Sequence, residues 1–584
     1  MRRHLGILAA YAALTALLTW PLAADFLTAV PGGGDAWQHL WNLWWMRKAL
    51  VDLHTDPFYT TYLYYPQGVS LLFHTLVPLE GVLTIPFQLA GVGLLPLYNG
   101  VLAVSFVLAG YATWLLVRDL TGHAGAAFVA GIAFAFCPYH LGHLLGHMNL
   151  ASLQWIPFYL WALFRACGAP GAPIDGTGQR RGLLWAGAAG LFLVANAFTE
   201  WIYVAFLGVF TGGYLLWRLL ADTRGRAALR AWGPLLARLA VLGAVFGALA
   251  GPLLLRTVLA QQGQDWMKFP PRETLVYSSD LVDSFVPSAL HPFWAGYAQA
   301  LERQQPERNT AERSVFLGYT TLVLAGLGLL WRRNRAVAFW AGAAALAWLL
   351  SLGPILHVLG RATFTTFNTT VPLPYLMLYN FVPGFSVMRV PARFIVLASL
   401  ALAVLAGYAL TALSARWPGR GRPLLLQGGV ALLLGLEFLA IPYPMAPPGY
   451  DIPFYHQVAA QPGSFAILEL PLRPMADYMA YQTVHGKPLV YGYLSRQPPD
   501  PFVDRTPLLG YLQNSASADG LDPAGIRAGV QTLQTAGVRY LVVHWWAFTA
   551  PQAATMQAKL AAVFPNQTPQ DDPANRLSVY TIGP

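Results

Sequence analysis

Residues 394–413 read FIVLASLALAVLAGYALTAL, from Phe394 to Leu413, without a single charged side chain. A helix rises ~1.5 Å per residue, so ~20 such residues cross ~30 Å of hydrocarbon. The run predicts a membrane-spanning helix, and it has company. Apolar segments at 5–24, 98–117, 124–138, 150–165, 183–199, 201–217, 234–255, 315–331, 336–356, 393–414 and 423–441 make eleven expected crossings. Of 584 residues, 56% are hydrophobic and 11% charged, with mean hydropathy +0.47. Soluble domains carry roughly 25% charged residues, so an ordinary soluble enzyme is excluded. Twenty Trp and 31 Phe exclude disorder.

The net charge of +10 first suggests a nucleic-acid partner, but its placement does not. Sixteen of the 36 Lys and Arg sit at Arg2 and Arg3 and in four short breaks between apolar runs. The breaks hold Arg165, Arg180 and Arg181; Arg218, Arg224, Arg226, Arg230 and Arg238; Arg332, Arg333 and Arg335; and Arg416, Arg420 and Arg422, opposed by Asp175 and Asp222 alone. Basic residues at alternate loops are the bias that holds those loops in the cytoplasm. No nucleic-acid footprint is left over. The bias puts the N-terminus inside and, after an odd number of crossings, the C-terminus outside. Residues 77–96, interrupted by Pro78, Pro86 and Pro96, are expected to be re-entrant or interfacial, because a crossing there inverts every later basic loop. Leu5–Ala24 is expected to stay as an uncleaved first helix. Cys137 and Cys167 fall near opposite faces, so no disulfide is expected between them.

The fold expected is an all-α polytopic membrane domain, residues 1–443, followed by a small extracytoplasmic α/β domain, residues 444–584. The external loops of the first are 25–97, 139–149, 256–314 and 357–392. Beyond Met445 the short runs Phe465–Leu470, Pro488–Tyr493, Tyr540–His544 and Leu577–Ile582 read as strands, and Ala524–Ala536 and Gln552–Phe564 read as helical.

In the first external loop, Gly32-Gly33-Gly34-Asp35 precedes the run Ala36–Leu50. Trp37, Leu40, Trp41, Trp44 and Trp45 share one helical face, which suits a helix lying among lipid headgroups. Asp35 stands where an N-cap stands, and His39 follows one turn later. Capping and chemistry are both open for this carboxylate. Farther on come Leu63-Tyr64-Tyr65-Pro66-Gln67-Gly68, His74 and Glu80.

A first helix, an outer loop opening with Asp35 ahead of a Trp-rich helix, and the later Tyr64-Tyr65-Pro66-Gln67-Gly68 resemble the GT-C superfold glycosyltransferases. Oligosaccharyltransferase catalytic subunits are a distant branch of the same resemblance. It implies transfer of a sugar from a polyprenyl-phosphate donor to a glycan, lipid or protein acceptor at the outer face of the cytoplasmic membrane. It also implies that Asp35 is the catalytic base or a metal ligand, with a divalent cation, magnesium or manganese, left open.

Three imidazoles, His140, His143 and His147, fall at i, i+3 and i+7 after Pro138, and in one helix they share a face. Metal binding, phosphate binding and a plain headgroup position are all open to them. The oligosaccharyltransferase branch places an acidic motif here, where this chain has His140, His143, His147 and Asn149. Arg393, near the outer end of its helix, requires an anionic partner, and a lipid phosphate suits a guanidinium. Arg389, Lys268, His143, His147 and His39 are further candidates for donor phosphate or substrate. His485, Lys487 and Arg496 are weaker candidates for an acceptor groove. Neither G-x-S-x-G, H-E-x-x-H, C-x-x-C nor a Walker sequence is present. The competing readings are a lipid or glycan transporter, disfavoured by the lack of an inverted repeat, and a non-catalytic scaffold that displays the external domain.

Overall fold

The computed structural model describes residues 1–583 apart from 173–177, 223–225, 265–266, 268, 270, 304–310, 332, 365–368, 418, 420 and 517–519. Lys268 lies outside the described residues, as do Asp175, Arg224, Asp265, Trp266, Arg332 and Arg420. Contacts divide the chain into two units, Met1–Gly32 with Pro96–Met445, and Gly33–Leu95 with Ala446–Pro584. Residues 33–95, most of the loop 25–97, are thus grouped with the C-terminal residues, where chain order had attached them to the membrane helices.

Among the described residues of the chain, six helices are long and apolar enough to cross a membrane: Leu94–Thr121, Ala124–His143, Gln179–Thr199, Trp201–Leu220, Trp232–Leu249 and Pro391–Arg416. The other five expected crossings are helical but shorter, at Arg2–Leu18, Trp155–Cys167, Tyr319–Trp331, Arg335–Ser351 and Arg422–Glu437. In Pro391–Arg416 the whole apolar window is buried, whereas in Trp232–Leu249 only 17% of it is. A helix apolar all round and wholly buried is the core of its unit, and an apolar helix that exposes its leucines requires hydrocarbon around it. Close packing selects small residues: a Cβ on Gly131 would lie 1.9 Å from the Tyr11 hydroxyl, which donates to the Phe128 carbonyl at 3.0 Å.

Two arginines of the basic breaks are not loop charges. Arg218 and Arg238 are buried, and they donate to the carbonyls of Cys167 at 2.8 Å and Ala166 at 2.9 Å. Those carbonyls are orphans at the C-terminus of Trp155–Cys167, where a cation also meets the negative end of the helix dipole. Glu437 ends the helix Arg422–Glu437 and accepts from the Tyr319 and Thr320 backbone N–H groups that open the helix Tyr319–Trp331.

The second unit is built on a four-stranded sheet of β1 (Ala466–Leu470), β2 (Val538–His544), β3 (Gln570–Asp572) and β4 (Leu577–Thr581), in spatial order β1-β2-β4-β3. β1 runs parallel to β2, and the other two pairings are antiparallel. Pro488–Tyr493, expected as a strand, contributes one bridge, Leu489 to Ile467. Alternation assigns side chains to two cores. Ala466, Leu468, Leu470, Leu541 and Val543 pack towards the helices Pro523–Thr535 and Ala550–Val563. Ile467, Val542, Leu577 and Val579 pack with Trp41, Trp45 and Tyr64 of the first loop.

The tryptophan helix, Ala36–Arg47, is therefore a core helix and not an interfacial one. Trp41 is 0% and Trp45 1% exposed, stacked with centroids 5.5 Å apart. Their indole N–H groups donate inside the unit, Trp41 to Gln482 Oε1 at 2.6 Å and Trp45 to the Pro57 carbonyl at 2.9 Å. A buried indole needs such a partner. The same tryptophan periodicity suits a membrane surface or a sheet, and here the sheet takes it.

Candidate functional site

The turn before the tryptophan helix has positive φ at Gly32, Gly33 and Gly34, of 75°, 80° and 57°. Three successive left-handed residues explain the glycine run. They deliver Asp35 at the start of Ala36–Arg47, already in helical conformation, with φ −62° and ψ −15°. Its side chain makes no capping hydrogen bond, which sets aside the reading of Asp35 as a mere cap. The Tyr493 hydroxyl donates to Asp35 Oδ1 at 3.0 Å, and Asp35 is half-buried.

Around it runs a chain of hydrogen bonds within the second unit. The Ser495 N–H donates to His74 Nδ1 at 3.3 Å, so the proton of this imidazole lies on Nε2, which donates to Asn42 Oδ1 at 2.9 Å. Asn42 Nδ2 donates to the Thr75 carbonyl at 2.7 Å and to His39 Nδ1 at 3.3 Å. Burial lowers His74 to about 3, and His39 lowers it further against the opposing Asp35 charge. His74 is thus neutral at physiological pH.

Arg393 belongs to the first unit, and its anionic partner within the chain is a carboxylate. Glu312, on the short turn Ala311–Arg313, accepts from Arg393 Nε at 3.1 Å and from Nη2 at 2.5 Å. Its second oxygen lies 3.4 Å from His143 Nε2. Burial pushes the Glu312 carboxyl up, but Arg393 and His143 outweigh it and hold it well below the usual carboxylate range. A carboxylate supplied by the chain itself therefore meets the Arg393 charge. Arg389 lies over the rings of Tyr277 and Phe269, 4.4 and 5.1 Å from their centroids.

The three histidines do not share one helical face. Pro138–His143 ends, Gly146 turns with φ 90°, and His147 opens the separate turn Met148–Ala151. His140 stacks on Phe106 at 3.6 Å, with Nδ1 2.7 Å from the Ala135 carbonyl. His143 reaches Glu312, and the His147 ring lies 5.6 Å from that of His143. No group of three or more His, Cys, Asp or Glu among the described residues is placed to hold a metal ion. Near this network a cavity of about 290 Å³ is lined by Gly142, Leu145, Leu290, Glu302 and the Asp283–Arg313 ion pair.

The weaker acceptor-groove candidates serve the chain's own backbone. His485 is buried, stacks against Tyr455, and accepts from the Lys487 N–H at 3.0 Å. Lys487 Nζ donates to the Gln461 and Gly463 carbonyls at 2.7 and 2.9 Å. Arg496 is half-buried on the segment that carries Tyr493 and Ser495. The sequence reading gave no role to Glu312, Tyr493 or Asn42. For Glu312 the signal was available, since an Arg at a helix end needs an anion and the acids of loop 256–314 supply one.

The fold resembles that of the GT-C glycosyltransferases. It resembles the arabinofuranosyltransferase AftD from Mycobacteria with TM-score 0.60 and 16% identity, over 99% of this chain and 40% of that one. It resembles the archaeal oligosaccharyltransferase AglB from Archaeoglobus fulgidus, in complex with an inhibitory peptide and a dolichol-phosphate, with TM-score 0.51 and 13% identity, over 99% of this chain and 74% of that one. ArnT from Cupriavidus metallidurans, bound to undecaprenyl phosphate, gives TM-score 0.50 and 13% identity, over 99% of this chain and 98% of that one. The chain spans less than half the length of AftD. Residues 4–434 match the family described as domain of unknown function (DUF6311), and the chain belongs to that family. No curated protein matches the sequence.

Proposed function

We propose that this chain is an integral membrane glycosyltransferase that moves a sugar from a polyprenyl-phosphate donor to an acceptor at the outer face of the cytoplasmic membrane, with Asp35 as general base. The observation that carries this reading is a carboxylate at a helix start that does not cap the helix and is held by the Tyr493 phenol. In the step proposed, the acceptor oxygen or nitrogen bonds to the anomeric carbon and gives its proton to Asp35. The bond from that carbon to the phosphate oxygen breaks, and its electron pair leaves on the lipid phosphate. The solved structures with dolichol phosphate and undecaprenyl phosphate support the class of donor.

Two experiments test the reading. Purified protein is incubated with undecaprenyl phosphate carrying a radiolabelled pentose or hexose together with a cell-envelope extract, and transfer is compared with Asp35→Asn. Near-normal transfer in the variant removes Asp35 from the chemistry. For the outer-face placement, cysteines introduced at Ser464 and Gly419 are labelled with an impermeant thiol reagent; both native cysteines are buried. Ser464→Cys is expected to react in intact cells and Gly419→Cys only after permeabilisation, and the reverse pattern inverts the arrangement.

A further inference from the structure

The C-terminal segment 489–497 is fastened to the first loop at several points inside the second unit. The Leu489 N–H donates to the Tyr62 carbonyl at 2.9 Å, and the Tyr65 N–H donates to the Leu489 carbonyl at 3.0 Å. Farther along, Ser495 Oγ lies 2.8 Å from Thr75 Oγ1, and the Tyr64 hydroxyl donates to Gln497 Oε1. These bonds set the register that brings Tyr493, about 460 positions later in the chain, to Asp35 Oδ1 at 3.0 Å. A phenol that donates to a carboxylate stabilises its charged form and fixes its rotamer.

We propose that Tyr493 is a positioning residue for Asp35: its hydroxyl holds the carboxylate ionised and aimed for proton acceptance, so the C-terminal segment completes a site that opens in the first loop. This inference rests on Asp35 being the base, and the test separates the two. The titratable and charged groups on these elements include His39 and Arg47 on the Asp35 helix, Tyr64 and His74 in the loop, Tyr491, Tyr493 and Arg496 on the C-terminal segment, and Tyr450, against Trp37, with the adjacent Asp451. Of these, Tyr493→Phe removes only the Tyr493 phenol and Tyr64→Phe only that of Tyr64.

Full-length protein in detergent is treated with a water-soluble carbodiimide and glycinamide across about pH 4–8, and modification of Asp35 is quantified by mass spectrometry. The carboxyl gives its proton to a carbodiimide nitrogen and its oxygen then adds to the carbodiimide carbon, so the rate follows the protonated fraction and the midpoint reports ionisation. Tyr493→Phe keeps the ring and removes the donor; its midpoint is expected to rise by about one pH unit. Tyr64→Phe loosens the same segment through Gln497 without touching Asp35, and its midpoint is expected to stay at the wild-type value. An unmoved midpoint in Tyr493→Phe, or an equal rise in both variants, overturns the proposal, the second because it reports a displaced segment and not a lost bond. In the transfer assay with labelled undecaprenyl-phosphate sugar, Tyr493→Phe is expected to lower kcat roughly tenfold with KM for the lipid donor unchanged. An unchanged kcat also overturns it. Normal transfer by Asp35→Asn sinks the base assignment instead, whatever the labelling shows.

Discussion

Glu312 and Asp35 are both carboxylates beside a helix start, one in each unit, and their surroundings differ in every respect that matters for chemistry. Glu312 is buried, takes two hydrogen bonds from Arg393 and meets His143 with its other oxygen. Asp35 is half-buried, makes no cap, and accepts from the Tyr493 phenol. A buried carboxylate locked to a guanidinium is a poor base, because taking a proton breaks the ion pair that keeps it buried. A half-exposed carboxylate held by a neutral donor keeps lone pairs for a substrate. Expensive buried charge marks structure in the first unit, and the modestly held charge of the second marks the candidate chemistry.

The sharpest way to break this contrast is Asp35→Asn. A general base contributes ~10²–10⁴-fold, so transfer is expected to fall by that range. Asn still accepts from Tyr493, so the melting temperature is expected to stay within a degree or two of wild type. An equal fall in stability would make Asp35 another Glu312.

Removing one partner of the other pair is expected to act on folding. Arg393→Met leaves the buried Glu312 carboxylate without its guanidinium and is expected to cost ~3–5 kcal/mol, and Glu312→Ala less, because Arg393 is only half-buried. The double replacement Glu312→Leu with Arg393→Met recovers most of that loss, because no orphan charge is left. Thermal unfolding in detergent checks the non-additivity, and strictly additive losses would show that the pair is not coupled.

Acid acts on the second unit by a different route. His74 and His485 are held neutral, each lowered by burial from 6.5 to about 3. A depressed histidine contributes stability that is complete above about pH 6.5 and is lost as pH falls towards about 3. At about pH 5 each costs on the order of 2 kcal/mol. His74→Asn and His485→Asn are expected to lose stability at neutral pH but to flatten the acid limb, read by tryptophan fluorescence of the second unit. The smallest effect is Trp41→Phe, which leaves the Gln482 carbonyl oxygen without its indole donor. It is expected to cost ~1–3 kcal/mol, and a neutral result would mean that water replaces that bond.

How much of this was legible differs element by element. The strand at Ala466–Leu470 and the helix at Pro523–Thr535 announce themselves, because alternation and 3.6-residue periodicity are local signals. The tryptophan face Trp37–Trp45 is equally visible in the sequence, yet its partner is not. An apolar face states that it must be covered and is silent about whether lipid headgroups or Ile467 and Val542 of a distant sheet do the covering. The histidine triplet was misplaced by the same logic, since periodicity assumes an unbroken helix and Gly146 breaks it.

Composition, the apolar runs and the placement of arginines suffice for a polytopic membrane chain, and the glycine run with Asp35 suffices to nominate a carboxylate. These are properties of single segments, set by hydrocarbon thickness and by backbone sterics. The partners are another matter. That Arg393 is neutralised by Glu312, that Asp35 answers to Tyr493 and that the first loop shares a core with the C-terminal residues are contacts between positions far apart in the chain. No periodicity encodes them, because burial is satisfied by any partner of the right polarity and shape, and only the assembled packing chooses which.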